Sequence, residues 1–418
     1  MATLLSGLRA LDLTDETGYF CGQMLAKLGV EVIKVERPGG DPGRLIGPFY
    51  EDVPDKEKSI NWFAANANKK GITLNIEDEK GQELFKRLVK GADFLLESFS
   101  PGYLDSLGLG YAELSRINPG LIMTSITPFG SEGPYKDYES SDLITMALSG
   151  VMSLIGTMEG PPSRIAGDVT YFVAGGYAAL GTLGAYHHRE LSGEGQQVTT
   201  SLLESLMQHY WVTPWVWEND KVLRLRGDYF RDADGNISQE GGFPRLWQCK
   251  DGKVWFSLTF AGARRLLSPN ALIQWMIEDG MEVGELAEIN WEEFDPAMMT
   301  PERTQNWFGI ISRFFARRTR QELFEEGMVR DVRVGPVLDV PEVLKNEQLE
   351  TRGFWQEVEH PELRQKVFYP THLFLASETE NQSPKPAPHV GEHNEWLYGH
   401  ELGLSAQEMT SLKEAGII

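Results

Sequence analysis

Short apolar segments typical of β-strands alternate with helical segments over the first 130 residues, and this pattern restricts the fold most. The apolar segments are LRALDLT, VEVIKVE, GITLNI, DFLLESF and LIMTSIT, and segments such as YFCGQMLAKLG and EDEKGQELFKRLVKG separate them. Strands separated by helices pair in parallel through right-handed crossovers, with helices covering both faces. The sequence therefore predicts an α/β protein with a Rossmann-like parallel sheet, whose ligands bind at the carboxyl ends of the strands.

The pattern changes after residue 215, which indicates a second domain. RLWQCKDGKVWFSLTF predicts a β-hairpin with its turn at Asp251 and Gly252. The following residues, to about 330, have a helical pattern rich in Trp, Phe and Arg. We therefore expect a large domain over 1–215, a smaller α+β domain over 216–345, and a C-terminal segment over 346–418 with a Pro-rich linker and a last helix.

Composition excludes several classes of partner. The chain has 418 residues and a formal net charge of −22, which disfavours binding to nucleic acid or to acidic lipid surfaces. No apolar stretch of about 20 residues occurs, so we expect a cytoplasmic protein without a membrane partner. The two cysteines are far apart, and His372, His389, His393 and His400 lack metal-site spacing, so we expect neither a disulfide nor a metal.

Basic residues occur in successive loops of the predicted sheet. The first strand-to-helix turn, TDETGYFCG, lacks the G-x-G-x-x-G spacing of a dinucleotide site. Arg37, Arg44, Lys69, Lys70 and Lys136 instead predict a site for another phosphate-bearing ligand, if they converge. The alternative for each of them is an ordinary solvated surface cation.

A single carboxylate, Asp168, precedes a long helical segment in RIAGDVTYFVAGGYAALGTLGAY. An aspartate there is first of all a helix N-cap, whose side chain accepts amide hydrogens of the first turn. It also remains ionised at the positive end of the helix, and such a carboxylate is a competent nucleophile toward a thioester. The helix carries a face of small residues that predicts close packing, namely Ala174, Ala178, Gly181 and Ala185.

Several motifs together resemble the class III CoA-transferases, which include formyl-CoA:oxalate, carnitine and benzylsuccinate CoA-transferases, and the related α-methylacyl-CoA racemases. The resemblance runs nearly end to end. It depends on LGVEVIKVERPGGDPGR, NANKKGITLNI, SPGYLDSLGLGYAELSRINPGLIMTSITPFGSEGPY, the AGD at 166–168, SGEGQQVTTSLLESL and PAPHVGEHNEWL.

The resemblance implies a role for individual residues. Asp168 corresponds to the nucleophile of the family. The cations that hold CoA correspond to Arg37, to Lys69 or Lys70, and to Lys136, with Tyr138 beside it. Gly241 and Gly242, in SQEGGFP, correspond to the glycine loop that closes over the reaction, although the sequence alone also fits a plain surface turn. CoA thioesters are then substrates, and no metal is needed.

The resemblance also implies an interlocked dimer and a C-terminal segment that returns to the large domain. We expect a homodimer, or a hetero-oligomer with a paralogue. Three departures from the family pattern stand out. E-T-G-Y-F replaces the usual A-G-P and is one residue shorter, and Ser100 stands where many relatives have Arg. The segment Ser140–Asp142 replaces the G-H-D of the racemases, so a base is missing at Ser141 and transfer is favoured over racemisation.

The start L-D-L-T-D-E and the shortened first turn resemble relatives that use succinyl-CoA to activate aryl-substituted succinates in anaerobic aromatic degradation. We therefore expect CoA transfer to an acid such as benzylsuccinate, through an aspartyl anhydride and an aspartyl-CoA thioester. Trp215 and Trp217, near Tyr210 and Trp211, are candidates for an aryl pocket or for a hinge, and Arg164 for a contact to a substrate carboxylate or a surface charge. The alternatives are an acyl-CoA racemase and a non-catalytic CoA-binding subunit.

Overall fold

The structure is a computed structural model that describes residues 3–239, 245–258, 267–291, 294 and 300–418. The chain forms two compact units. The first contains Met1–Ile155, Ser163–Trp211 and Glu347–Ile418, and the second contains Gly156–Pro162 and Val212–Asn346. Among the described residues, no helix combines the length and the apolar character needed to cross a membrane.

Strands and helices alternate through the N-terminal part of the first unit. In chain order they are β1 (Arg9–Asp12), α1 (Tyr19–Lys27), β2 (Glu31–Glu36), α2 (Ile60–Asn66), β3 (Lys70–Thr73), α3 (Glu79–Val89), β4 (Phe94–Glu97), α4 (Tyr103–Ser106), α5 (Tyr111–Ile117), β5 (Ile122–Thr127), α6 (Asp142–Leu148), α7 (Val169–Ser192), β6 (Gln197–Ser201) and α8 (Leu202–His209). The six strands form one parallel sheet in the order β3-β2-β1-β4-β5-β6. The predicted parallel sheet is confirmed.

Both faces of this sheet are buried, because successive residues of a strand point to opposite faces. Leu11, Ile33 and Leu95 lie side by side in register and belong to one apolar core, which also contains Phe85 of α3. The residues that precede them, such as Ala10 and Phe94, belong to a second core that contains side chains of α1 and α7. Continuous apolar strands of this kind are typical of a parallel sheet with helices on both faces.

The small-residue face of α7 packs within the first unit. Ala174, Ala178 and Ala185 are buried in the core that α7 shares with α1 and the sheet. A Cβ at Gly175 would lie 2.7 Å from Phe20 Cβ and 3.0 Å from the backbone nitrogen of Cys21. The absence of a side chain at Gly175 therefore allows the close approach of the two helices.

The second unit has shorter strands. Its labelled elements are α9 (Val212–Asp220), β7 (Leu223–Arg224), β8 (Tyr229–Arg231), β9 (Ile237–Gln239), β10 (Leu246–Cys249), β11 (Gly252–Trp255), α10 (Leu267–Glu278), α11 (Pro301–Phe315), α12 (Arg320–Val329), β12 (Gly335–Pro336) and α13 (Val340–Val343). Strands β10 and β11 form the predicted antiparallel hairpin. Its turn consists of Lys250 and Asp251, one residue earlier than predicted, because Gly252 pairs with Cys249.

The C-terminal segment belongs to the first unit. It contains α14 (Glu347–Thr351), the antiparallel pair β13 (Trp355–His360) and β14 (Gln365–Pro370), a π-helical turn over Glu395–Glu401, and α15 (Ala406–Glu414). This segment is hydrogen-bonded to the end of β3. The Thr73 nitrogen donates to Asn394 Oδ1 over 2.9 Å, and the Tyr398 hydroxyl donates to the Thr73 carbonyl over 2.7 Å.

Candidate active site

A pocket of about 630 Å³ lies at the carboxyl edge of the parallel sheet, where strand ends leave room for a ligand. Its walls are the segments that follow β1, β2, β3 and β4, together with residues near the C-terminus. The lining residues are Leu13, Thr14, Asp15, Glu16, Val35, Glu36, Arg37, Pro38, Asp41, Pro42, Leu74, Asn75, Ile76, Glu77, Ser98, Phe99, Tyr103 and Gly416. We call this cavity the edge pocket.

Two of the predicted CoA-binding cations lie at the same edge of the sheet. Arg37 is exposed, follows β2 directly and lines the edge pocket. Lys136 is exposed in the loop that follows β5. Tyr138 in the same loop is exposed, and its ring stacks on Tyr135 with 5.2 Å between the centroids.

Lys69 and Lys70 do not line the edge pocket, and both ammonium groups have protein partners. Lys70 is the first residue of β3 and its ammonium contacts Glu31 at the beginning of β2, on the amino side of the sheet, whereas the ammonium of Lys69 contacts Asp12 at the end of β1. Lys69 Nζ is buried and donates to Asp12 Oδ2 (2.8 Å), to Asn66 Oδ1 (2.8 Å) and to the Tyr19 carbonyl (3.0 Å). These three contacts use the donors of the ammonium and leave none for a phosphate.

Lys70 and Arg44 also have protein partners. Lys70 Nζ is 2.6 Å from Glu31 Oε1 and 3.4 Å from the centroid of the Trp396 ring. The Arg44 guanidinium is buried and forms a 2.6 Å ion pair with Glu36. These cations stabilise the fold around the sheet rather than a ligand at its carboxyl edge.

Asp168 occupies the N-cap position of α7, but its side chain does not cap the helix. No hydrogen bond joins its carboxylate to an amide of the first turn, and the side chain is 53% exposed. Only its backbone carbonyl takes part in the helix, accepting from the Phe172 nitrogen over 3.0 Å. The interpretation of Asp168 as a side-chain cap is therefore wrong, and its carboxylate is accessible.

A different aspartate caps the first turn of α7. The backbone nitrogen of Thr170 donates to Asp142 Oδ1 over 3.1 Å, across 28 residues of sequence. In return the Asp142 nitrogen donates a 3.0 Å hydrogen bond to the Tyr171 hydroxyl oxygen. Burial raises the pKa of Tyr171 to about 12, with the carboxylates of Glu16, Asp142 and Asp168 adding to the effect, so the oxygen that accepts from Asp142 belongs to a neutral hydroxyl.

Arg164 lies between the two aspartates. Its Nη2 is 3.6 Å from Asp142 Oδ2 and 3.9 Å from Asp168 Oδ1, and it donates to the Gly167 carbonyl over 2.9 Å. The side chain of Arg164 is 46% exposed, whereas that of Asp142 is 7% exposed. The structure thus brings Arg164 and Asp168 together, as their spacing of four residues allows, and adds Asp142, which the sequence does not connect with them.

Glu16 links Asp168 with the edge pocket. Glu16 lines that pocket, and burial raises the pKa of its carboxyl. The neighbouring carboxylates of Asp15, Asp41 and Asp168 raise the pKa further, because a second negative charge nearby is unfavourable. The charge of Asp168 thus acts on a carboxyl group that lines the edge pocket.

A second cavity of about 450 Å³, here called the aromatic pocket, adjoins α7. Phe172 lines it and lies one helical turn beyond Asp168, on the same side of α7. The rings of Phe20 and Phe172 contact edge to face with 4.8 Å between their centroids. The other aromatic residues of the lining are Tyr50, Phe63, Phe368 and Tyr369.

The remaining predicted site residues belong to the second unit or lie outside the described residues. Trp215 and Trp217 are exposed on α9 of the second unit. Gly241 and Gly242 lie outside the described residues. Within the described part of the chain, no group of three or more His, Cys, Asp or Glu side chains has the arrangement of a metal site.

Comparison with known proteins places the chain in a family. The model of CoA-transferase family III matches residues 5–394. The chain belongs to this family. It is 35% identical over 416 residues, 99% of this chain and 98% of the relative, to the succinyl-CoA:(R)-benzylsuccinate CoA-transferase subunit BbsE of Thauera aromatica. It is 31% identical over 414 residues, 96% of this chain and 94% of the relative, to a succinyl-CoA–D-citramalate CoA-transferase of Chloroflexus aurantiacus.

A solved structure has the same fold. The crystal structure of a CAIB/BAIF family protein from Brucella suis matches with a TM-score of 0.79 and 25% identity, covering 96% of this chain and 100% of that one. The protein is thus a class III CoA-transferase, and CoA thioesters are its substrates.

Proposed function

We propose that the protein transfers CoA from succinyl-CoA to an aryl- or alkyl-substituted succinate, such as benzylsuccinate, through covalent intermediates on Asp168. The observation that carries this proposal is the exposed carboxylate of Asp168, which is not used as a helix cap and has the Arg164 guanidinium 3.9 Å away. The name of the Thauera relative supports the donor and the class of acceptor.

The proposed reaction needs no external proton donor. A carboxylate oxygen of Asp168 attacks the thioester carbon of succinyl-CoA and expels CoA thiolate, which leaves a mixed anhydride. The thiolate attacks Cγ of Asp168 and releases succinate, giving an aspartyl-CoA thioester. The acceptor carboxylate then attacks Cγ and expels the thiolate, and the thiolate attacks the acceptor acyl carbon of the new anhydride. The products are the new acyl-CoA and the original carboxylate of Asp168.

We propose that CoA lies in the edge pocket, with its phosphates near Arg37 and Lys136 and with Tyr138 beside them. Both cations lie at the carboxyl edge of the sheet, and charge-assisted contacts suit phosphate oxygens. The first unit is then the CoA-binding domain. Gly241 and Gly242 stay a prediction for the loop whose amide hydrogens stabilise the oxyanion formed at each attack.

Two features near Asp168 support a substituted dicarboxylic acid as the substrate. Arg164 offers a half-exposed guanidinium about 4 Å from the nucleophile, which suits the carboxylate that does not react. The aromatic pocket offers an apolar surface for an aryl or alkyl substituent. A role for Trp215 and Trp217 in substrate binding stays a prediction.

We propose an interlocked dimer as the assembly, as the family resemblance implies, and a location in the cytoplasm. The Thauera relative is named as a subunit, which supports a hetero-oligomer with a paralogue as the alternative to a homodimer. Size-exclusion chromatography with light scattering of the purified chain, alone and with the paralogue co-expressed, distinguishes these two assemblies.

Replacement of Asp168 by Asn tests the proposed mechanism. Asn cannot form the anhydride, so transfer from succinyl-CoA to benzylsuccinate should fall by several orders of magnitude. The melting temperature should not change, because the side chain makes no cap in the wild-type protein. Wild-type protein incubated with succinyl-CoA alone should gain mass on the peptide that contains Asp168, in a form that hydroxylamine removes. Near-normal turnover by Asp168→Asn would refute the mechanism.

The acceptor is tested separately by offering free acids to the wild-type protein with succinyl-CoA and identifying new acyl-CoAs by mass. Substituted succinates should react far better than oxalate, carnitine or monocarboxylic acids. A preference for one of the latter acids would overturn the substrate and leave the reaction class in place. Exchange of an α-hydrogen with deuterium without any acceptor would indicate a racemase instead.

A further inference from the structure

Two aspartates, Asp142 and Asp168, lie at the first turn of α7, and either could accept a hydrogen bond from its amides. The N-terminal amides of a helix lack partners within the helix, and an aspartate at the N-cap position normally accepts from one of them. In this protein Asp168 holds that position, yet the Thr170 amide donates to Asp142 on α6 instead. The cap therefore comes from a neighbouring element, and the carboxylate at the N-cap position stays free.

We propose that Asp142 is a positioning residue that keeps Asp168 available as a nucleophile by taking over its role as the helix cap. The inference rests on the proposed role of Asp168. A carboxylate that accepts a backbone hydrogen bond has part of its charge engaged and is fixed in the orientation that the helix requires. Asp142 accepts that bond from a buried position, so the exposed carboxylate of Asp168 is free to turn toward the thioester.

The position of Asp142 is fixed from several sides. The hydroxyl oxygen of Tyr171, in the first turn of α7, accepts from the Asp142 nitrogen, so two hydrogen bonds join the starts of α6 and α7. The Ser141 side chain caps α6 itself, accepting from the Ile144 nitrogen over 3.4 Å. Asp142 is therefore not needed as a cap for its own helix, and its carboxylate serves α7.

The second oxygen of Asp142 orients Arg164. Asp142 Oδ2 is buried and has no hydrogen-bond donor among the residues that the structure describes, and Arg164 Nη2 is 3.6 Å away. This attraction, together with the hydrogen bond to the Gly167 carbonyl, holds the guanidinium beside Asp168 rather than directly on it. Asp142 thus binds the Thr170 amide and attracts the Arg164 guanidinium, two groups that would otherwise engage the carboxylate of Asp168.

A set of single and double variants tests this role without relying on activity alone. Asp142→Asn keeps an oxygen that accepts from the Thr170 amide, whereas Asp142→Ala removes it. In the wild-type background Asp168→Ala should leave the melting temperature unchanged. In the Asp142→Ala background Asp168 becomes the available cap, so adding Asp168→Ala should lower the melting temperature by about 2–4 °C more.

The rate of acylation of Asp168 in a single turnover with succinyl-CoA is the second measurement. Asp142→Ala should slow it at least about tenfold with an unchanged dissociation constant for CoA, because Asp168 is drawn onto the helix terminus. Asp142→Asn should restore most of the rate, since the cap is present again. Circular dichroism checks the fold of each variant, and if Asp142→Ala does not fold, a loss of about tenfold in Asp142→Asn still refutes the inference.

Three results would overturn the inference. The first is that the effects of Asp142→Ala and Asp168→Ala on the melting temperature are additive. The second is that Asp142→Ala is acylated at the wild-type rate. The third is that the acylation rate of Asp142→Asn falls about tenfold or more. The comparison of melting temperatures among the single and double variants does not depend on catalysis, so it remains valid if Asp168→Asn turns out to be active. Full activity of Asp168→Asn refutes the proposed mechanism, whereas normal acylation of Asp142→Ala refutes only the role of Asp142.

Discussion

Lys69 Nζ lies 2.8 Å from Asp12 Oδ2, and both side chains are completely buried. Burial alone would favour the neutral acid at Asp12, but the attraction of Lys69 and Lys34 outweighs burial and lowers its pKa. The lysine that the sequence presents as a phosphate contact therefore neutralises a charge inside the fold. It also joins the end of β1 to the beginning of α1 through the carbonyl of Tyr19.

Removal of the Lys69 ammonium should destabilise the fold strongly. Lys69→Met leaves Asp12 charged and unpaired in the interior, which should cost about 3–5 kcal/mol in the free energy of unfolding. Lys70→Met is the matched control, because its pair with Glu31 is about one-third exposed and should contribute about 1 kcal/mol or less. Urea denaturation followed by circular dichroism measures both. Equal effects of the two replacements would contradict the structural role of Lys69.

The two edges of the sheet should also differ in CoA binding. Arg37→Ala removes a charge that lines the edge pocket, and it should weaken CoA binding about 10- to 100-fold, the loss of one charge-assisted contact to phosphate. Lys136→Ala should act in the same direction. Lys70→Ala removes a charge from the opposite edge and should leave the affinity unchanged. Isothermal titration calorimetry measures the affinity of the three variants for CoA. A larger loss of affinity in Lys70→Ala than in Arg37→Ala would place CoA at the amino edge instead.

The sequence predicted the parallel sheet because each buried strand is a continuous apolar segment, a signal that depends only on neighbouring residues. It did not show that Asp12 holds the ammonium of Lys69 or that Glu31 holds that of Lys70, because these partners are distant in sequence. The cap of α7 was missed for a related reason. Asp168 has the local signature of an N-cap, and nothing in the sequence near Asp142 indicates a contact 28 residues away. The link between Glu16 and Asp168 likewise depends on the folded chain.

Glu97 should make the stability of the protein depend on pH. Burial at the end of β4 raises the pKa of its carboxyl to about 7, well above the ordinary value for a glutamate. The folded protein thus holds this proton to higher pH than the unfolded chain does. The stabilising contribution is fully present below about pH 4.5 and is lost as the pH rises through 7, a change of about 3 kcal/mol in the free energy of unfolding.

Glu97→Gln tests this assignment, because Gln is neutral at every pH and still accepts from the Phe99 nitrogen. The variant should be more stable than the wild-type protein at pH 8 and similar to it at pH 4. Replacement of the exposed Glu83 on α3 by Gln is the control and should change neither value. Urea denaturation across this range measures the difference, and parallel pH profiles for wild type and Glu97→Gln would exclude Glu97 as the cause.

Arg164 should discriminate between dicarboxylic and monocarboxylic acceptors. Arg164→Gln removes the guanidinium near the nucleophile, so KM for a substituted succinate should rise about tenfold, which corresponds to the lower end of the contribution of a charged contact. The monoamide of the same acid lacks the second charge and should be affected little. Steady-state kinetics with both acceptors gives the ratio. An equal rise in KM for the two acids would contradict recognition of the second carboxylate.

Phe172 should set the preference for aryl-substituted acceptors, because it lines the aromatic pocket one helical turn beyond Asp168. Phe172→Ala removes the ring and its edge-to-face contact with Phe20. The aryl group of the acceptor then loses one aromatic contact and part of its buried apolar surface, so kcat/KM for benzylsuccinate should fall about tenfold. The value for methylsuccinate should fall much less.

Tyr177→Ala is the matched control for Phe172→Ala, since Tyr177 is a partly exposed aromatic residue of the same helix that does not line the aromatic pocket. It should leave the ratio of the two acceptors unchanged. Light scattering gives the mass of the assembly for both variants. It distinguishes a pocket that binds substrate from an apolar face that a second copy of the chain covers. If Phe172→Ala lowers the mass of the assembly and reduces both acceptors equally, the aromatic pocket is an interface and the aryl group binds elsewhere.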